Sequence, residues 1–232
     1  MTICTWMLPL PLCPCNEAGG DIEKLRERYY GHEISCHTVS HGWPDRMPCQ
    51  SIVKETLENR IYLERIAMYP VQGMSYPFGA YNETVKTAMK MSGIVYSRTV
   101  NSSMNFQLPD DFLEWNPSCH HNKALELSEV FMKNLNSRNS GGLFYVWGHS
   151  HEFSAEEDWT MMEKLLDIVS GNDKIWYATN IEIYRYIMAQ KELAVSADEN
   201  MFYNPSAIDV WIEKDGKEII CIPAGETVEV SI

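Results

Sequence analysis

Apolar residues along the chain alternate between two spacings. In residues 21–30 they fall at Ile22, Leu25 and Tyr29, and in residues 51–68 at Ile52, Leu57, Ile61, Leu63 and Ile66, so both segments are predicted to be amphipathic helices. Residues 32–38, 71–78, 94–100, 142–148 and 174–179 instead carry short runs rich in β-branched and aromatic residues, and are predicted to be strands. Further helices are predicted over 83–92, with Asn82 as N-cap and Glu83 in the first turn, over 124–135, over 156–169, and over 181–190 with Asn180 as cap. About five strand-then-helix steps result, the pattern of an α/β fold.

The pattern changes near residue 193. Residues 210–213 and 218–222 flank Lys214-Asp215-Gly216-Lys217, where Asp-Gly suits the positive φ of a hairpin turn, and 227–232 is a final predicted strand. Residues 1–192 are therefore expected to form one β/α domain, and 193–232 a small C-terminal antiparallel β appendage.

Composition narrows the function. Nineteen Lys+Arg against 32 Asp+Glu give a net charge of −13, which repels phosphate backbones and anionic lipid, so no nucleic-acid partner is expected and a neutral or amine-bearing substrate is compatible. No run of apolar residues is long enough for a membrane span. Residues 1–15 are apolar but carry three prolines and no basic residue before Lys24, unlike a signal peptide. Seven cysteines, with Cys13-Pro-Cys15 off the CxxC spacing, fit reduced thiols, and a cytoplasmic location is expected.

The seven histidines fall in three clusters: His32, His37 and His41; His120 and His121; His149 and His151. His37 and His41 lie four residues apart just past a predicted strand, a spacing that lets one turn direct both rings at a single ion. The same spacing also arises by chance on a surface. A structural Cys36, His37, His41, Cys49 set is disfavoured, because adjacent Cys36 and His37 on a strand face opposite ways. Trp115, with His120 nearby, reads either as an indole face for a sugar ring or as the buried anchor of a structured loop. Arg98, at a strand end, either orients a site carboxylate or pairs on the surface. His151 and Glu152 read as solvent-facing loop residues.

Gly31-His32-Glu33-Ile34-Ser35-Cys36-His37-Thr38-Val39-Ser40-His41 resembles the second motif of the polysaccharide deacetylases, the NodB-homology carbohydrate esterases, where an H-[ST]-x-x-H pair follows a strand. Ser75-Tyr76-Pro77-Phe78-Gly79-Ala80-Tyr81-Asn82 resembles their third motif, and Phe144-Tyr145-Val146-Trp147-Gly148-His149 their fifth. The resemblance implies a distorted (β/α) barrel of the NodB type with its site at the strand C-terminal ends. It implies a divalent metal, zinc foremost, on His37 and His41, a backbone N–H near Phe78 for the oxyanion, and His149 as the acid for the leaving amine or alkoxide. Tyr76, Pro77, Gly79, Trp115 and His120 would line the substrate site. The implied activity is removal of acetyl groups from a polysaccharide or aminosugar glycan.

The family's first motif, a strand ending in adjacent aspartates that supply the general base and a third metal ligand, has no counterpart. Asp21 is the sole aspartate before His37, and the first Asp-Asp is Asp110-Asp111. The barrel is thus expected to be N-terminally incomplete, and Ser75 stands where family motifs often carry an arginine. Three readings follow. The chain is a truncated product, with residues 1–15 remaining from the second barrel strand; or a variant using Glu33, His120, His121 or Glu152 as replacement ligand; or an inactive relative that binds carbohydrate or metal without turnover.

Overall fold

The structure is a computed structural model that describes residues 2–6, 22–135, 142–153, 156–214 and 218–230. It separates into two compact units, Met1–Ile181 and Glu182–Ile232. In the first, strands and helices alternate: β1 (Thr2–Trp6), α1 (Ile22–Arg28), α2 (Cys49–Ala67), β2 (Gly73–Ser75), α3 (Glu83–Met91), β3 (Tyr96–Arg98), β4 (Cys119–His120), α4 (Ala124–Asn134), β5 (Gly142–Trp147), α5 (Glu156–Val169) and β6 (Ile175–Tyr177). Every strand pairing here is parallel. β2 pairs with β3, and isolated bridges Cys36–Met74 and Arg98–Trp115 extend that pair on either side. A four-stranded sheet has the order β4-β5-β1-β6. The fold is α/β.

The strands are shorter than their apolar runs. Residues 32–38 contribute only the Cys36 bridge, because the chain turns at Thr38, which adopts φ 62°. Residues 71–78 shrink to Gly73–Ser75, since Pro77 has no N–H to give a ladder and Phe78 takes φ 58°. β1 was not anticipated as a strand in this position. It pairs with β5 and β6, not beside Cys36 as a second barrel strand would, while residues 7–15 lie outside the described residues.

Two apolar clusters form the core. One gathers Ile34, Cys36, Ile52, Leu63, Ile66, Met74 and Val85, seating α1, α2 and α3 against β2. The other gathers Cys119, Phe131, Phe144, Val146, Leu165 and Ile175, seating α4 and α5 against β4, β5 and β6. On α2 the buried stripe is Ile52, Thr56, Asn59, Leu63 and Ile66, at helical spacing, whereas Leu57 and Ile61 face outward. Thr56 satisfies its hydroxyl on the Ile52 carbonyl, 2.8 Å away.

α6 (Asn180–Lys191) crosses into the second unit, followed by β7 (Ala194–Val195), β8 (Met201–Tyr203), β9 (Val210–Lys214), β10 (Glu218–Ile222) and β11 (Thr227–Glu229). All pairings in this unit are antiparallel: β11-β8-β7 form one sheet and β10-β9 another, in register from Val210–Ile222 to Lys214–Glu218. The expected turn at 215–217 lies outside the described residues. Buried Asn204 ties this unit together, its Nδ2 donating to the carbonyls of Ile208 at 2.8 Å and Ile222 at 2.9 Å. Among the described residues, no helix is long and apolar enough to cross a membrane.

Candidate active site

The expected site residues gather where the parallel strands of the first unit end. His37 follows Cys36, the Tyr76–Phe78 turn follows β2, Arg98 ends β3, His120 ends β4, and His149 lies just past β5. Strand C-termini are where a β/α scaffold presents loops, so residues far apart in sequence meet there.

His37 is buried and held at two points. Its backbone N–H donates to Asn59 Oδ1 on α2, 2.9 Å away, and its ring Nδ1 lies 2.6 Å from the Ser75 carbonyl. A carbonyl only accepts, so Nδ1 carries the proton and Nε2 keeps its lone pair. Burial lowers the His37 pKa to about 4, helped by nearby His41, Arg98 and His149 and only partly opposed by the Ser75 carbonyl. The loop beyond is pinned by Glu55, whose Oε2 accepts the N–H groups of Val39 at 3.0 Å and Ser40 at 2.7 Å. His41, exposed and at φ 52°, thereby sets its ring 4.7 Å from that of His37.

Two adjacent imidazoles, one fixed as a neutral lone-pair donor, fit two positions of a divalent metal's coordination shell. Among the described residues no third Asp, Glu, Cys or His completes a ligand group with this pair. Burial pushes the Cys36 thiol up to about 12, keeping it protonated and unsuited as a ligand. Glu33, weighed as a replacement ligand, accepts from the Tyr96 hydroxyl and from the Ile181 N–H, 3.0 Å away.

Around the pair, Phe78 projects outward from a single 3₁₀ turn, and its ring stands 4.6 Å edge-on to His41. The other face of Phe78 stacks on Trp43 at 4.2 Å with an interplanar angle of 8°, and Arg46 sits 4.5 Å from the Trp43 ring centroid. Trp43 was missed in the sequence, although it follows His41 by two residues in a His-Gly-Trp-Pro run. Gly79 has φ 66°, and a Cβ there would collide with the Val100 side chain. Its N–H donates to the Tyr76 carbonyl at 2.9 Å, and that of Ala80 to the Pro77 carbonyl at 3.0 Å.

Tyr76, Pro77 and Trp115 do not offer the contacts expected of them. Tyr76 and Pro77 are buried, and the Tyr76 hydroxyl donates to the Leu113 carbonyl at 2.8 Å. Trp115 is 0% exposed, packed edge-on against Tyr96, Phe112 and Tyr145, so its indole presents no face to a sugar. It is the buried anchor of its loop.

Arg98 is 2% exposed, with Nη1 donating to the Thr99 carbonyl at 2.8 Å and Nη2 to Ser75 Oγ, and its guanidinium 4.7 Å from the Trp147 ring centroid. Among the described residues no carboxylate pairs with it and its Nε has no partner; burial lowers its pKa. Trp147 in turn meets the rings of His120 at 4.7 Å and His149 at 5.6 Å.

Glu152, read from sequence as a solvent-facing residue, is the hub of this side. Its Oε2 accepts from the His149 backbone N–H at 2.8 Å and lies 2.9 Å from His149 Nδ1 and 3.2 Å from His120 Nε2. Burial pulls the Glu152 carboxyl up, but the hydrogen bonds from His149 and the charges of His120 and His149 outweigh it and hold it at about 2. His120, His149 and Glu152 each place one potential ligand atom within 4.8 Å of the others. The exposed ring of His151 lies 5.0 Å from that of His149.

Residues 21–97 match the polysaccharide deacetylase family model, so the resemblance read from the sequence holds across the segment that carries His37, His41 and the Phe78 turn. A protein from Mycobacterium smegmatis, assigned as a polysaccharide deacetylase, superimposes with a TM-score of 0.56 at 18% identity, over 81% of this chain and 72% of that one. The Puue allantoinase gives 0.56 at 12% identity, over 77% and 67%. At such identities the likeness is one of fold. The Streptococcus pyogenes deacetylase PplD, solved with acetate, is matched over 45% of this chain and 48% of its own, about half its length, at 19% identity and a TM-score of 0.39. A comparison with the curated proteins finds no match.

Proposed function

We propose that the chain is a metal-dependent hydrolase that removes acetyl groups from a polysaccharide or aminosugar glycan. The observation that supports this most is the meeting of His37, His41, Phe78 and His149 at one set of strand ends, in a chain whose residues 21–97 match the deacetylase family model. Fold alone does not decide, since a fold neighbour is an allantoinase and one scaffold hosts many chemistries. The proposed scaffold is the distorted (β/α) barrel of the deacetylases, and residues 193–232 its β appendage.

His37 and His41 are the proposed ligands of a divalent metal, zinc foremost. Such an ion, when bound, supplies polarisation of an acetyl carbonyl and of a water. The remaining work falls to the chain's own groups. The exposed Trp43–Phe78 stack offers an aromatic face to a sugar ring beside the histidine pair. The Phe78 N–H is the proposed donor to the carbonyl oxygen as it gains charge. His149, gripped at Nδ1 by Glu152, turns Nε2 outward to protonate the leaving amine or alkoxide, with Glu152 as its positioning residue. Arg98, beside Ser75 in the β2–β3 register, is proposed to supply the guanidinium that family motifs carry at the Ser75 position.

Acetate release from N-acetylated chitooligosaccharides and O-acetylated xylan tests this reading. The zinc-loaded chain is expected to release acetate, to stop on chelation, and to lose about 10²-fold or more in rate in His149→Ala. A zinc-loaded, folded chain that releases no acetate from either glycan class overturns it.

A further inference from the structure

We propose a second divalent-cation site in this chain, built from His120 Nε2, His149 Nδ1 and Glu152 Oε2 and sharing no ligand with the His37–His41 pair. It goes beyond the deacetylase reading and does not depend on it. The three ligand atoms come from two places in the fold: His120 from the end of β4, His149 and Glu152 from the turn after β5. The parallel pairing of His120 with Trp147 brings them together.

The spacing is close to that of a coordination shell. With zinc-to-ligand bonds of about 2.0–2.2 Å in a tetrahedral site, ligand atoms stand roughly 3.3–3.6 Å apart. Glu152 Oε2 lies 3.2 Å from His120 Nε2 and 2.9 Å from His149 Nδ1, and all three atoms fall within 4.8 Å of one another. The surroundings also reserve the space. A Cβ at Gly148 would collide with the ring of His121, whose Nδ1 is 3.8 Å from Glu152 Oε2, so the glycine lets this imidazole pack beneath the cluster.

The donor set selects the ion. Two imidazoles and one carboxylate suit Zn²⁺, Co²⁺ or Ni²⁺, whereas Mg²⁺ and Ca²⁺ seek oxygen shells. His149 is half exposed, so the fourth position opens to water, unlike a closed structural site.

Isothermal titration of the chelator-stripped full chain with Zn²⁺ tests the proposal, with His37→Ala/His41→Ala as the background. That variant is expected to retain one ion per chain, and adding either Glu152→Gln or His149→Ala is expected to abolish it. His41→Ala alone, at an exposed position, serves as the background if the double variant does not fold, and circular dichroism verifies folding throughout. The proposal is overturned if the folded background binds no zinc, or if its zinc survives both Glu152→Gln and His149→Ala. Failure of the deacetylase reading is distinct, because it appears as absent acetate release whatever the zinc count.

Discussion

The two histidine regions of the first unit fix their imidazoles by opposite means. His37 is buried and leans on a backbone carbonyl, which orients the ring but brings no charge, and burial then holds it neutral with a pKa of about 4. His149 is half exposed and leans on Glu152, a carboxylate that stays ionised down to about pH 2. The first arrangement keeps a lone pair available across the physiological range. The second places a negative charge beside two imidazoles, an arrangement that favours a bound cation. The difference lies in the acceptor each ring meets.

Each region also depends on one close backbone approach, and substitution there should affect the regions unequally. Gly79→Ala is expected to have the largest effect, about 2–4 kcal/mol by urea denaturation, because a positive φ and a collision with Val100 act together. It should also displace the Phe78 ring from Trp43, read as a change in near-UV circular dichroism that Trp43→Leu removes. A cost under about 1 kcal/mol would mean that the turn yields and that the first region is not rigidly built. Asn59→Ala should come next, at about 1–3 kcal/mol, since it strands the buried His37 N–H without its acceptor. Zinc affinity at the histidine pair should fall with it; unchanged affinity would mean that the Ser75 carbonyl suffices to hold the ring.

Asn59 also shows where the sequence misleads. The apolar pattern of α2 suggested Leu57 and Ile61 as core positions, yet the buried stripe holds Thr56 and Asn59, polar residues that answer a helix carbonyl and a distant loop N–H. Helix positions were legible because periodicity and caps are local, as Asn82 illustrates by accepting the Val85 N–H at 3.0 Å. Strand lengths were not, because Thr38 and Phe78 leave the ladder through backbone angles that no side-chain pattern encodes. The His37–His41 pair was singled out by its spacing, and Phe78 and His149 by resemblance to short family motifs. The grouping of His120 with His149 and Glu152 could not be read in this way, since it depends on the register between β4 and β5. Trp115 is buried and Trp43, to which the sequence assigned no role, is exposed, because exposure of an indole is decided by packing rather than by neighbours in sequence.

Gly148→Ala probes the second region and should cost less than either change in the first, about 1–2 kcal/mol. The colliding group there is the His121 ring alone, whereas Gly79 meets a branched Val100 and has a positive φ as well. If His121 is the floor of the cation site, zinc retention in the His37→Ala/His41→Ala background should weaken with Gly148→Ala. A stability loss larger than that of Gly79→Ala would reverse the ranking of the two regions.

The smallest expected effect separates the regions by pH. Lys86 joins Asp111 at 2.7 Å, Glu83 at 3.1 Å and Glu114 at 3.6 Å. Asp111 Oδ1 accepts the Leu113 N–H at 2.8 Å, and the Leu113 carbonyl receives the Tyr76 hydroxyl, so this network braces only the first region. Partial burial raises the Asp111 carboxyl, but the Lys86 hydrogen bond, the Leu113 N–H and the lysine charges outweigh it and hold it below the ordinary range. A depressed carboxyl contributes stability above its unfolded value, and that contribution is lost as pH falls through the folded value. Asp111 is 43% exposed, so solvent screening leaves under about 1 kcal/mol. Lys86→Met should therefore lower stability by that small amount near neutrality, with the gap to wild type closing as pH falls from about 6 to about 2. Zinc binding by His120, His149 and Glu152 should be unchanged. Denaturation curves that remain a constant distance apart across that range would show that the loss comes from packing of the lysine stem and not from its pairing with Asp111.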